Sequence, residues 1–245
     1  MNLRTSHLVA SASAVLVSCC LTGLAGLPYF ESFEGSWSIT SPWSTNGGVG
    51  SVSTQTGAQK TGAGTKGLVI SNATVNLNVS AVESSATARS NVWIQVYAKA
   101  VQGASEPTVD AGVAGAFYIA TNGAVRAYTG AWTTVTSPNL YSSSGYHGFI
   151  LHIDYTATPK KWDLYAAPDG VYKTNMALLA TLPMASGAGG SLTNFSVTSG
   201  SPANIDAVAI SRAFTSAGNT GQKVAVYEHS TNSPVGVIMP FVLPI

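Results

Sequence analysis

The sequence predicts an all-β protein, a two-sheet antiparallel β-sandwich, and three observations predict it. Apolar and polar residues alternate with period two through most of the chain after residue 27, as they do in strands with one buried face. Turn-forming residues punctuate these runs at a spacing of roughly 8–15 residues, the rhythm of a sandwich rather than of βαβ units. No long stretch repeats apolar residues at three and four while avoiding Gly, Pro and β-branched residues, so helix signals are nearly absent.

Taken in order, "TKGLVISN" sets Leu68 and Ile70 on one face, and "ATVNLNVSA" sets Val75, Leu77 and Val79 against Asn76, Asn78 and Ser80. "NVWIQVYAKAV" sets Val92, Ile94, Val96 and Ala98 against Trp93, Gln95, Tyr97 and Lys99. "GAFYIATNGAVRAYTGAW" is a hairpin signal, with "TNG" as the turn between "AFYIA" and "AVRAY", because Asn-Gly supplies positive φ cheaply. Strands continue through "GFILHIDY", "KWDLYAA", "LTNFSVTSG" and "NIDAVAISRAF".

The ends read differently. Residues 1–26 have the form of a signal peptide: Arg4 is the positive end, Leu8 to Val17 is apolar, and small residues allow cleavage after Ala25. "LVSC" also fits a bacterial lipobox, which would make Cys19 a lipidated first residue. As a third reading, the apolar stretch to Leu27 is about long enough for an uncleaved anchor. Cys19 and Cys20 are the only cysteines, so no disulfide, thiolate metal site or cysteine nucleophile is expected beyond the leader. Residues 27–214 form the expected domain. Residues 215–245 are read as a linker, an extra strand and a Pro-interrupted apolar tail, which either packs as an edge strand or docks on another subunit by strand addition.

Composition excludes several functions. The net charge is +1 and charged residues are 9% of the chain. No basic stripe exists to neutralise phosphates, so no nucleic-acid partner is expected. The chain has no G-x-S-x-G, and "GAGTKG" and "GAGG" lack the G-K-[ST] and helix of a phosphate loop.

The strand order resembles the concanavalin A-like, or laminin-G-like, jelly-roll superfamily in its secreted bacterial form. The likeness rests on "PYFESFEGSW", "NVWIQVYAKAV" with the hairpin after it, "FILHIDYTATPKKWDLYAA" and "NIDAVAISRAF", and covers about Leu27 to Phe214. It implies a jelly roll and a secreted or surface-attached protein, but leaves activity open, since that sandwich serves lectins, glucanases, lyases and structural domains alike. The E-x-D-x-x-E strand of its glucanases is absent, and its alginate-lyase motifs are echoed only faintly by "LHIDY" and "VYAKA". Some relatives hold Ca²⁺ with aspartates and carbonyls; here Asp110, Asp154, Asp163 and Asp206 are scattered, and no other cofactor is expected.

Two groups are candidate ligand residues. The strip Trp93, Gln95, Tyr97 and Lys99 should face outward from a central strand, where Trp and Tyr rings can stack on sugars. His152 and Asp154, with Asp163 nearby, form the polar side of a hairpin and are read chiefly as scaffold on its solvent side, with an acid–base pair as the sharper alternative. Trp132 and Trp162 are read as core. The resulting expectation is a non-catalytic recognition module for carbohydrate or another cell-surface ligand. A structural subunit that self-associates through the tail, and a polysaccharide-cleaving enzyme, stand as alternatives.

Overall fold

The computed structural model describes residues 26–35, 37–46, 50–59, 64–99, 103–136, 141, 145–167, 177–212, 223–228 and 237–242. The expected leader with Cys19, the expected linker at 213–222 and the stretches 229–236 and 243–245 of the expected tail lie outside the described residues. The strands, in chain order, begin with β1 (Tyr29–Glu31), β2 (Trp43–Asn46), β3 (Ser51–Thr56), β4 (Lys66–Ser71), β5 (Ala73–Asn78) and β6 (Asn91–Lys99). Next come β7 (Ala116–Ile119), β8 (Val125–Tyr128), β9 (Trp132–Thr134), β10 (His147–Asp154), β11 (Lys161–Ala167) and β12 (Ala177–Pro183). The last are β13 (Asn194–Ser199), β14 (Ala203–Arg212), β15 (Lys223–Glu228) and β16 (Val237–Val242).

The protein is an antiparallel β-sandwich. Eight strands form one layer in the order β12-β11-β10-β6-β14-β4-β3, with β1 alongside β14. Two three-stranded sheets, β13-β5-β2 and β7-β8-β9, form the other. Alternation decides the packing: Val92, Ile94 and Val96 of β6, Phe149, Leu151 and Ile153 of β10, and Trp162 and Leu164 of β11 share one buried cluster with Val75 and Leu77 of β5 and Val125 and Ala127 of β8. A one-residue slip would turn every one of those side chains outward, so burial fixes the register. Close approach matters at Gly115, just before β7, where an added Cβ would stand 2.5 Å from the Trp162 indole.

The "TNG" turn forms as the sequence predicts, with Gly123 at φ +74° and Ala120 N–H donating to Ala124 O at 2.8 Å. The alternation Val75–Leu77–Val79 breaks at its last member. Asn78 caps a one-turn helix, α1 (Val79–Val82), its Oδ1 accepting from Ala81 N at 3.0 Å. Asn is among the best N-caps, and Val79 stays buried from within the helix.

Strand β14 carries a bulge between Asp206 and Ala209. Ala207 sits at φ +47°, and its N–H donates to Asp206 Oδ1 at 2.7 Å. The bulge gives one edge of β14 two neighbours, β4 beside 203–205 and β1 beside 208–210, while β6 lines the other edge. Strands β15 and β16 pair with each other in a two-stranded sheet, with Ala225 opposite Pro240.

Candidate functional site

The face of the large sheet turned away from the core holds the predicted strip. Register places Ser211, Trp93, His152, Asp163 and Thr181 in one row across β14, β6, β10, β11 and β12, and Ala209, Gln95, Ile150 and Tyr165 in a neighbouring one. His152 lies flat on Trp93, ring centroids 4.1 Å apart and planes 7° from parallel. Its Nδ1 is 2.9 Å from Asp163 Oδ2 and its Nε2 is 2.9 Å from Asn91 Oδ1. Thr181 donates its hydroxyl to Asp163 Oδ1 at 2.7 Å. Burial opposes the Asp163 charge, but the hydrogen bonds from His152 and Thr181, with Lys161 Nζ 3.8 Å away, outweigh it and hold the carboxyl below its ordinary range.

This corrects the expectation of a solvent face. Trp93 and Gln95 are each 2% exposed, Tyr97 is equally buried, and His152 and Asp163 are each 5% exposed. The reason is mutual cover: His152 stacks on Trp93, Tyr165 tilts against it at 5.8 Å, and Tyr97 packs with Tyr146 and Phe30. Lys99 ends the strip half-buried. Asp154 is drawn into the β10–β11 turn, its Oδ1 accepting from Thr156 N at 2.9 Å, Thr156 Oγ1 at 2.6 Å and Ala157 N at 3.1 Å. It therefore spends its oxygen on the turn that orients the hairpin. The predicted strip and His152 do share one face, while Asp154 stands at its rim.

The open site lies elsewhere, on the outer side of β7-β8-β9. A cleft of about 400 Å³ is lined by Glu106, Tyr118, Asn122, Arg126 and Thr134, among others. That size is in the range of small-ligand sites. Tyr118 and Arg126 are direct cross-strand partners, and Arg126 donates to Tyr118 Oη at 3.2 Å and to Trp132 O at 3.1 Å. Arg126 also pairs with the exposed Glu106. Trp132 meets Tyr118 edge-on, centroids 4.8 Å apart at 89°, and tilts against Tyr128 at 5.3 Å. Its Nε1 donates to Pro107 O at 3.0 Å, which pins the segment carrying Glu106 against the sheet. Trp162 is core, as expected, but Trp132 is half-exposed: it stands opposite Tyr128, which shares the outward face of β8 with Arg126 and not the inner row of Val125 and Ala127.

Sequence reading missed this cleft. The signal was present in Tyr118 and Arg126 flanking the "TNG" turn, since a hairpin pairs residues about equally distant from its turn. Glu106 carried no signal, because it arrives from a loop far along the chain. Among the described residues no three His, Cys, Asp or Glu side chains gather as a metal site.

No protein-family model matches the chain, and no curated protein does. Solved structures that resemble it include a conserved carbohydrate esterase of the Shiga toxin-encoding bacteriophage phi24B, at 13% identity and TM-score 0.44, covering 74% of this chain and 98% of that one. Domain 4 of an extracellular arabinanase of Geobacillus stearothermophilus, in complex with arabinotriose, aligns at 12% identity and TM-score 0.43, covering 75% and 90%. The C-terminal family 22 carbohydrate-binding module of Clostridium thermocellum Xyn10B aligns at 16% identity and TM-score 0.33, covering 79% and 97%. At these TM-scores the likenesses decide nothing about ligand or activity.

Proposed function

We propose that the chain is a non-catalytic recognition module that binds a neutral carbohydrate in the cleft beside β7-β8-β9. The observation that carries this reading is the half-exposed ring of Tyr118, backed edge-on by Trp132, on the wall of a cleft furnished with Asn122, Thr134 and the Arg126–Glu106 pair. Sugars present apolar ring faces to aromatic rings and hydroxyls to amides, hydroxyls and charged groups, and this cleft supplies both kinds of partner. Because Arg126 is already matched by Glu106, the pair adds no net charge to attract a uronate or a sulfated sugar.

Binding is favoured over cleavage by the same residues. Glycosidases set two carboxyl groups across the scissile bond, and among the described lining residues Glu106 is the one carboxylate. The signal-peptide pattern of residues 1–26 supports a secreted or surface-attached protein meeting glycans outside the cell.

The test is a neutral-glycan array on the chain and on Tyr118→Ala, with reducing-end release assayed on every ligand found. Saturable binding lost in the variant, without release, is expected. Binding untouched by Tyr118→Ala would remove the cleft from consideration, and product release would make the protein an enzyme. One observation favours assembly as a second reading: β12, at the edge of the large sheet, has no charged residue and leaves Leu178 52% exposed. Uncharged apolar edges invite pairing with another strand.

A further inference from the structure

We propose that residues 104–112 are a strap across the cleft, and that a ligand enters when the strap lifts. This rests on the cleft being the binding site, because it concerns how that site is entered. Both ends of the strap are fixed. Gly103 N–H donates to Ile119 O at 2.9 Å and forms a bridge with Ala120 just past β7. At the other end Ala114 O accepts from Ala185 N–H at 3.1 Å, and Gly115 lies against the Trp162 indole. Between these anchors every residue except Val109 is exposed. Among the described residues two contacts tie this stretch to the sheet: Glu106 to Arg126 on β8, and Pro107 O to the Trp132 indole on β9. The chain therefore starts beside the end of β7, reaches over β8 to β9, and returns to the beginning of β7 at Ala116. On its way out Ala104, Ser105 and Glu106 form a wall of the cleft.

A stretch held in this way is built to move. Its exposed side chains bury little apolar surface that lifting would have to uncover. Exposed ion pairs and single hydrogen bonds are each weak, and the two here sit on adjacent residues, so losing one loosens the other. Gly112 at φ +84° supplies a joint that other residues rarely allow. Lifting also changes what the cleft offers. Arg126 Nη1 bonds both Glu106 and the Tyr118 hydroxyl, so parting from Glu106 frees a donor for a ligand hydroxyl beside the Tyr118 ring.

The latch is electrostatic and the ligand neutral, so salt separates the two. Raising ionic strength from about 0.01 M to about 1 M shortens the screening length from roughly 30 Å to 3 Å. That should unlatch the strap without acting on a neutral sugar. Trp132 is read first, with no glycan present, as acrylamide quenching relative to the matching Trp132→Phe protein. Salt should raise this quenching, and Glu106→Ala should raise it at low salt and remove the salt response. The neutral oligosaccharide held most tightly on the array is then followed by stopped flow. Its association should quicken by up to about fivefold under either change, the worth of an exposed ion pair, and its dissociation should quicken alongside. Trp132 quenching indifferent to both salt and Glu106→Ala overturns the strap, whether or not a glycan binds. Quenching that responds while association does not overturns its role in entry. If no neutral glycan binds, the cleft reading falls instead, and Trp132 quenching alone decides the strap.

Discussion

Two regions of this protein are built from the same ingredients and put to opposite use. The outer face of the large sheet has a Trp, a Tyr and a buried hydrogen-bonded couple in Trp93, Tyr165 and His152–Asp163; the outer side of β7-β8-β9 has Trp132, Tyr118 and Arg126–Glu106. On the large sheet five adjacent strands bring the side chains into continuous rows, and the rings cover one another. On β7-β8-β9 the third strand is three residues long and only Trp132 is half-buried, so the same ring is left with an open flank. Sheet width, rather than residue type, separates a covered cluster from an open one here. An aromatic strip on a central strand is the poorer place to look for a ligand when its neighbours are themselves aromatic.

The largest way to break this contrast is to truncate the two tryptophans. Trp93→Ala should lower the unfolding free energy by about 4 kcal/mol, as for other buried Trp or Phe truncations, while Trp132→Ala should cost under about 1 kcal/mol. Urea unfolding of both variants measures the difference; equal losses would erase the distinction between the faces. Next is Asp163→Asn, which strands His152 and Thr181 in the interior and should cost about 3 kcal/mol at neutral pH. Because its folded-state pKa is depressed, the contribution of the Asp163 charge is complete above the ordinary carboxylate range. It fades as pH falls through that range toward the lower folded value. The wild-type advantage should therefore shrink on acidification, and unfolding curves for both proteins across the acid range would show it.

A smaller effect sharpens the open side. Tyr118→Ala removes the ring that Trp132 abuts and the oxygen that Arg126 bonds, so glycan affinity should fall about 30-fold, near 2 kcal/mol, with little loss of stability. Calorimetric titration reads the first and urea melts the second. Least is expected from Asp154→Ala: the turn it holds should loosen by about 1 kcal/mol, and glycan titration should be unchanged. A lost ligand would restore Asp154 to the site.

Much of the fold is legible in the sequence because period-two alternation is a local property. Val92, Ile94 and Val96, Phe149, Leu151 and Ile153, and the "TNG" turn all fall where their patterns place them. Helix α1 is not legible, since its four residues continue a strand-like alternation and only the Asn78 cap diverts them. The shared face of Trp93, Gln95 and His152 follows from alternation, yet its burial does not: exposure depends on what lies across the sheet, and a strand carries no record of its neighbours. The Tyr118–Arg126 side of the cleft is legible from the hairpin, but its other wall is not, for a related reason: Glu106 reaches it from a loop.

The position of β14 has a consequence for how the chain comes to be folded at all. It is hydrogen-bonded to β6, β4 and β1, so the middle of the sheet is supplied by the last of its strands to be made. Until residues 203–212 exist, β6 and β4 have no shared partner and β1 has none of its own in the sheet. The sandwich is thereby committed to long-range closure, which slows folding relative to locally connected topologies. In a nascent chain stopped before residue 203 the large sheet is only two partial sheets with open edges, β12-β11-β10-β6 and β4-β3, and it closes only in a late step.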